Sequence, residues 1–212
     1  MESPCREIFA SFVLLSKRWE LNTLLRPIGL AIHKIETEIA KQKATVPAGL
    51  HEAMASLERE RIEDYVGLAF VACQVQVNTV LAAIDSLHRQ ARAVNRDLRT
   101  TDVGRESLME YATTEDKRPS EVRTIYAFAN YYKHRSEWPE GWIGLTRQQS
   151  TSAEVIRQFG ATPDGRLNLT NGLVAMGYKN LANLTGLENA LFEWHDALVA
   201  GYGDELSSLA LL

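Results

Sequence analysis

Between Pro119 and Trp142 the chain gathers its densest group of aromatic, basic and histidine side chains. Asn130 and His134 stand four residues apart, so on a helix their side chains can touch. At about 100° per residue, Arg123 falls on the same narrow stripe. From 117 to 135, Lys117, Arg118, Arg123, Lys133 and Arg135 face only one acid, Glu121. Such a cluster suits a phosphate-bearing ligand, and it equally suits salt bridges to the acidic Glu58–Asp64 segment. Tyr131, Tyr132, Trp138 and Trp142 offer flat rings of the kind that stack on unpaired bases without sequence preference. The chemistry these residues suggest is contact with a nucleic acid.

A helix must carry these groups. Ser120 is a good N-cap after the break at Lys117-Arg118-Pro119, and Glu121 suits the first turn. No Gly or Pro interrupts Val122 to Arg135, and Trp138-Pro139 ends the element. Val122, Ile125, Tyr126, Ala129 and Tyr132 make its apolar face, with Arg123, Asn130 and His134 on an offset stripe.

An Asn followed four residues later by His, late in a bundle helix, resembles part of the Arg-Asn-x-x-x-His signature of HEPN domains. Ala-Asn-Tyr-Tyr-Lys-His (129–134) is also similar to an N-x-x-K-H variant in HEPN-like proteins of unassigned activity. The family comprises helical bundles, many of them metal-independent ribonucleases of toxin–antitoxin and phage-defence systems, with the motif at a dimer interface. The resemblance implies RNA as a partner, a homodimer, and no cofactor or metal. It implies that His134 acts as acid/base or phosphate contact and that Asn130 orients it, with Arg123 or Arg135 steadying phosphate charge. Lys133, Arg135, Tyr131 and Trp138 are then the substrate-binding candidates. The family's Arg position, just before Asn130, is Ala129 here. Arg123 lies eleven residues before His134, about 16 Å along the axis. That departure makes a degenerate, non-catalytic member as consistent with the motif as an active nuclease.

The competing reading of the same residues is structural. Aromatic side chains at helical spacing are usually core, and a His near a helix C-terminus favours the macrodipole. Trp138 and Trp142 then plug a loop against the bundle. The protein would be a non-enzymatic interaction module binding a protein partner through its heptad face or its Trp loop. Other chemistry finds little support. His33, His51, His88, His134 and His195 form no H-x-x-x-H or H-E-x-x-H. Asp85 with His88 and His33 with Glu36 are i, i+3 pairs, but the paired Glu-x-x-His pattern of di-iron bundles is absent. No G-x-G-x-x-G, G-x-x-x-x-G-K-[ST] or G-x-S-x-G occurs. Trp194, His195 and Asp196 are consecutive, so on a helix they point apart.

Composition agrees with an ordinary globular chain: 212 residues, 45% apolar, 24% charged, net charge −4. That charge argues against a general nucleic-acid coat. Cys5 and Cys73 are too few for a disulfide framework. The N-terminal apolar run, Ile8 to Leu15, lacks the basic cluster and cleavage site of a leader, and no apolar run reaches membrane-spanning length. The expectation is a cytoplasmic protein with no membrane contact.

Apolar periodicity predicts the remaining elements. Ser3-Pro4 opens a helix to about Leu25, with Ile8, Phe9, Phe12, Leu15 and Trp19 at helical spacing. Pro27 restarts the chain for a second helix, with Ile28, Ile32, Ile35 and Ile39 in a stripe to about Lys43. The longest helix runs from about Leu50 to Val94, with a break at Gly67 left open. Val66, Cys73, Val80, Leu87 and Val94 with Phe70, Val77, Ile84 and Ala91 make a heptad seam that demands a partner helix, from this chain or a second copy. Leu68, Val71 and Leu81 widen the surface and favour the intramolecular solution. Residues 96–118 and 136–150 read as irregular. Thr151 or Ser152 caps a helix over 153–159, 161–169 is a turn or small hairpin, and 173–181 is helical. Thr185-Gly-Leu-Glu188 matches a capping box for a last helix that Gly201 and Gly203 close. The expected fold is a single all-α domain over 1–212, an up-and-down bundle of five to seven helices with one long central helix.

Overall fold

The computed structural model describes residues 4–18, 20–98 and 104–211. It is an all-α bundle: eight α-helices and no strand among the described residues. In chain order these are α1 (Pro4–Leu15), α2 (Asn22–Thr45), α3 (Ala48–Ala93), α4 (Arg105–Met109), α5 (Glu121–His134), α6 (Arg147–Arg157), α7 (Asn168–Ala175) and α8 (Thr185–Ser208). The contacts gather into two compact units. One comprises Met1–Trp19, Val75–Arg123 and Asn189–Leu212, the other Glu20–Gln74 and Thr124–Glu188.

The expected long helix is α3, 46 residues without interruption. It passes through Gly67 unbroken, and there the missing side chain makes room for the Tyr132 ring. The heptad residues Val66, Phe70, Cys73, Val77, Val80, Ile84, Leu87 and Ala91 are all buried, so the seam is filled within the chain. Val94 lies in the turn after α3 and is only half-buried, and Leu68 is exposed. Burial pushes the Cys73 thiol pKa well up, which leaves it an inert core group. An 18-residue window of α3, of mean hydropathy 1.7, is long and apolar enough to cross a membrane, and 50% of it is buried inside the protein. A core helix of a bundle meets the same criterion.

In the first unit, the packed side chains include Ile8, Leu15, Leu81, Ile84, Leu191, Leu198 and Tyr202. Polar pins fix it: Trp194 Nε1 donates to the Leu108 carbonyl at 2.8 Å, and a His195 ring nitrogen meets the Leu15 carbonyl at 2.6 Å. His88 Nε2 lies 3.0 Å from the Tyr202 hydroxyl. In the second unit, Phe70 stacks on Phe128 with centroids 5.2 Å apart, beside buried Ile32, Ile62, Ile125, Ile156 and Leu169. The buried Glu63 carboxylate caps α7 from outside. It accepts from Leu169 N (2.7 Å), Thr170 N (2.8 Å) and Thr170 Oγ1 (2.7 Å), and the first two are backbone donors that the start of α7 would otherwise leave unmet.

Several boundaries differ from the sequence expectation. The first helix stops at Leu15 rather than near Leu25, and Trp19 lies outside the described residues. Pro27 does not restart the chain: it sits inside α2 beyond its first turn, where its missing N–H costs the helix one backbone hydrogen bond. The helix expected over 153–159 begins six residues earlier, with Thr146 as cap and a full Thr146–Gln149 capping box. Residues 161–169 form turns and lead into α7, which ends at Ala175 rather than 181. Glu188 does not close a capping box on Thr185; its carboxylate accepts the Asn22 N–H at 2.8 Å. Gly201 and Gly203 do not end α8, which continues to Ser208. Gly203 faces Phe12, a packing reason for its small size.

Candidate functional site

Helix α5 starts as its sequence dictates. Ser120 Oγ accepts the Arg123 N–H at 3.0 Å, a regular N-cap, and donates to the Met109 carbonyl at 2.7 Å. The helix ends at His134, where the chain tightens into a 3-10 turn over Arg135–Glu137 before Trp138-Pro139. Val122, Ile125 and Ala129 are buried as expected, while Tyr126 and Tyr132 are half-buried. Thr124, Ala127 and Phe128 are buried as well, so α5 hides more of its circumference than one apolar face.

Asn130, His134 and Trp138 line one cleft of about 170 Å³, together with Glu137, Thr146, Gln148, Gln149 and Ser152. Asn130 is buried, and both ends of its amide are committed. Its Oδ1 accepts from Gln74 Nε2 at 2.7 Å and its Nδ2 reaches Ser152 Oγ at 3.5 Å. The amide therefore ties α5 to α3 and α6, and no hydrogen bond joins it to His134. The His134 side chain is 45% exposed, with Nδ1 3.2 Å from the Glu137 carboxylate. That pairing fixes the ring and leaves Nε2 without a hydrogen-bond partner among the described residues.

The other candidates stand elsewhere. Arg123 does not line the cleft: its guanidinium is held by Glu110 at 3.2 Å and Glu106 at 3.3 Å. Arg135 bonds Asp64 Oδ1 at 2.7 Å and lies over the Tyr132 ring at 4.9 Å, so the salt-bridge reading of the basic cluster holds for this residue. Lys133 is exposed. The Tyr131 hydroxyl accepts from Asn168 Nδ2 at 3.0 Å. Its ring meets Trp138 and Trp142 edge-on at 5.0 and 5.8 Å, and the two tryptophans meet each other at 5.1 Å. Trp142 is buried beneath the Arg157 guanidinium, 5.2 Å from its ring centre. The aromatic group is thus a packed plug whose one half-buried tryptophan, Trp138, borders the cleft.

Compared with known proteins, the chain matches no family model, no curated protein and no solved structure. The site must be judged on its own chemistry. Its ionisable lining is one imidazole and one carboxylate, and the remaining polar groups are amides and hydroxyls. Among the described residues no three His, Cys, Asp or Glu side chains come together as a metal site would need. Sequence reasoning missed Glu137, Gln74, Gln148, Gln149 and Ser152. One signal was legible: Thr146-Arg-Gln-Gln149 has the capping-box spacing that fixes α6 against the cleft. Gln74 carries no such mark, since one polar residue in an apolar helix reads equally well as an exposed one.

Proposed function

We propose that the chain is a HEPN-like protein that binds RNA and does not cleave it. The observation that carries the reading is the shared cleft, in which Asn130 and His134 of the motif lie beside Trp138 and a ring of amides and hydroxyls. Pockets that enclose drug-sized ligands run to roughly 300–1,000 Å³, so a cleft of about 170 Å³ suits one ring-sized group. Amide and hydroxyl side chains next to an aromatic ring are the groups that read the edge and face of an unpaired base. A scissile phosphate fits poorly, because the Glu137 carboxylate repels it and no guanidinium lines the cleft. Ala129 and Arg123 support the non-catalytic side. Position 129 is fully buried, and Arg123 is neutralised by two carboxylates.

Fluorescence anisotropy with a short labelled single-stranded RNA tests the proposal. Trp138→Ala removes one stacking face, worth about 1–3 kcal/mol per base, and weakens binding by about fivefold or more. Equal affinity for wild type and variant at matched helicity refutes the use of this cleft. A protein-binding module is favoured by one separate observation: Leu50 and Leu57, seven residues apart on α3, are 57% and 64% exposed.

A further inference from the structure

A second cleft, of about 250 Å³, lies in the unit formed by Glu20–Gln74 and Thr124–Glu188. One wall is α2, which presents Asn22, Arg26, Leu30 and His33. The other is the segment from Asn180 to Thr185 that leads into α8. Arg26 and His33 are seven residues apart, two turns or about 10.5 Å along one face of the helix. The two walls meet at Gly29, where a side chain would run into the Ala182 carbonyl. Only glycine permits that approach, and it forms the floor of the cleft.

The polar groups here differ in kind from those around His134. No carboxylate lines the cleft. Glu188, one turn into α8, is outside the lining, and its Oε1 is occupied by the Asn22 N–H. Among the described residues, the Arg26 guanidinium and the His33 imidazole have no hydrogen-bond or ion-pair partner, unlike Arg123 and Arg135. Asn180 and Asn183 each spend the side-chain carbonyl locally, accepting from Ala182 N at 3.1 Å and Thr185 N at 3.2 Å. Their remaining side-chain hydrogen-bonding groups are NH2 donors. The segment is held in place by Tyr178, whose hydroxyl donates to the Gly186 carbonyl at 3.3 Å and whose ring covers Gly186. A cavity that offers a guanidinium, two amide NH2 groups, a threonine hydroxyl and an imidazole, with no lining carboxylate, is built to take acceptors and negative charge.

We propose that this cleft binds the phosphate group of a small ligand, with Arg26 as the charge-bearing contact and Asn180, Asn183 and His33 as additional partners. The site is independent of the RNA reading above. A free phosphate ion and a phosphate monoester share the chemistry, so both are probes. The test is isothermal titration of the full chain with inorganic phosphate, with a nucleoside monophosphate and with acetate. Wild type and Arg26→Glu, a substitution at an exposed position, are compared at equal helicity. Phosphate binding that weakens at least about tenfold in Arg26→Glu, the loss of one charge-assisted contact and its replacement by a repulsive one, supports the site. Tighter binding of the monophosphate then identifies an ester as the ligand, and equal binding identifies the free ion. No phosphate binding at tens of millimolar overturns the proposal, as does equal binding by Arg26→Glu, or acetate binding as tightly as phosphate. His33→Gln provides a second reading: it keeps a hydrogen-bonding side chain without the imidazole, and its affinity falls less than that of Arg26→Glu.

Discussion

Glu63 is the residue whose loss most directly reports on how the cleft is held. Its carboxylate is buried and receives two backbone N–H groups and one hydroxyl at the start of α7. The same turn carries Asn168, which holds the Tyr131 hydroxyl, and the Tyr131 ring backs Trp138 at the cleft. Glu63→Ala strands the Leu169 and Thr170 N–H groups at about 1–3 kcal/mol each. The threonine hydroxyl can turn elsewhere, and relief of the buried charge offsets part of the loss. A net destabilisation of about 2–4 kcal/mol remains, which for a chain of this size lowers Tm by roughly 5–15 °C. Burial pushes the Glu63 carboxyl above its ordinary value of 4.5, outweighing the Thr170 and Leu169 hydrogen bonds and the Arg135 charge that pull it down. With the folded pKa raised, the proton binds more tightly in the folded state. The associated stability is complete below the unfolded value and is lost as pH rises through the folded one. Glu63→Gln has no such proton to bind, so its deficit relative to wild type is largest below pH 4.5 and shrinks as pH rises. Urea unfolding at several pH values measures both effects. A Glu63→Ala protein melting within about 2 °C of wild type refutes the capping role, and a Glu63→Gln deficit that grows with pH refutes the raised carboxyl pKa.

Other substitutions probe separate parts of the molecule. Ala129→Arg, which introduces the arginine of the HEPN pattern, places a guanidinium at a fully buried position. Burying an unpaired charge costs several kcal/mol and overpacking adds about 1–3 kcal/mol, so the variant is expected to unfold or aggregate on expression rather than gain nuclease activity; a native-like melt contradicts this. Gly67→Ala gains about 1 kcal/mol in helix propensity, but its methyl meets the Tyr132 ring well inside contact distance. The clash outweighs the gain, and thermal melting should fall by several degrees. Ser120→Ala removes both the N-cap of α5 and the bond to Met109. It should cost about 1–2 kcal/mol in chemical denaturation.

Long periodic signals were legible in the sequence. The 46-residue α3 and its buried seam follow from apolar residues alternating three and four apart, and Ser120 with Trp138-Pro139 framed α5 to within a few residues. Glycines misled as helix breakers. Gly67, Gly201 and Gly203 suggest breaks, yet all three lie inside helices; at Gly67 the Tyr132 ring occupies the space a side chain would need, and Gly203 packs closely against Phe12. The site was legible in part. Spacing on one helix brought Asn130 and His134 to one cleft, but it did not foresee that the Asn130 amide would be committed to Gln74 and Ser152. Those partners come from other helices, and tertiary neighbours leave no mark in local spacing. Arg123 shows the same limit, since Glu106 and Glu110 reach it from the segment that read as irregular.

The central claim is that the cleft beside His134 holds RNA and leaves it whole. Binding and cleavage of one single-stranded RNA should be followed together in EDTA, with wild type and His134→Ala compared at equal helicity and oligomeric state. Wild type is expected to bind the RNA and leave it intact for hours, and His134→Ala to bind more weakly. Cleavage by wild type that His134→Ala abolishes would contradict the claim and make His134 the catalytic group of a metal-independent ribonuclease.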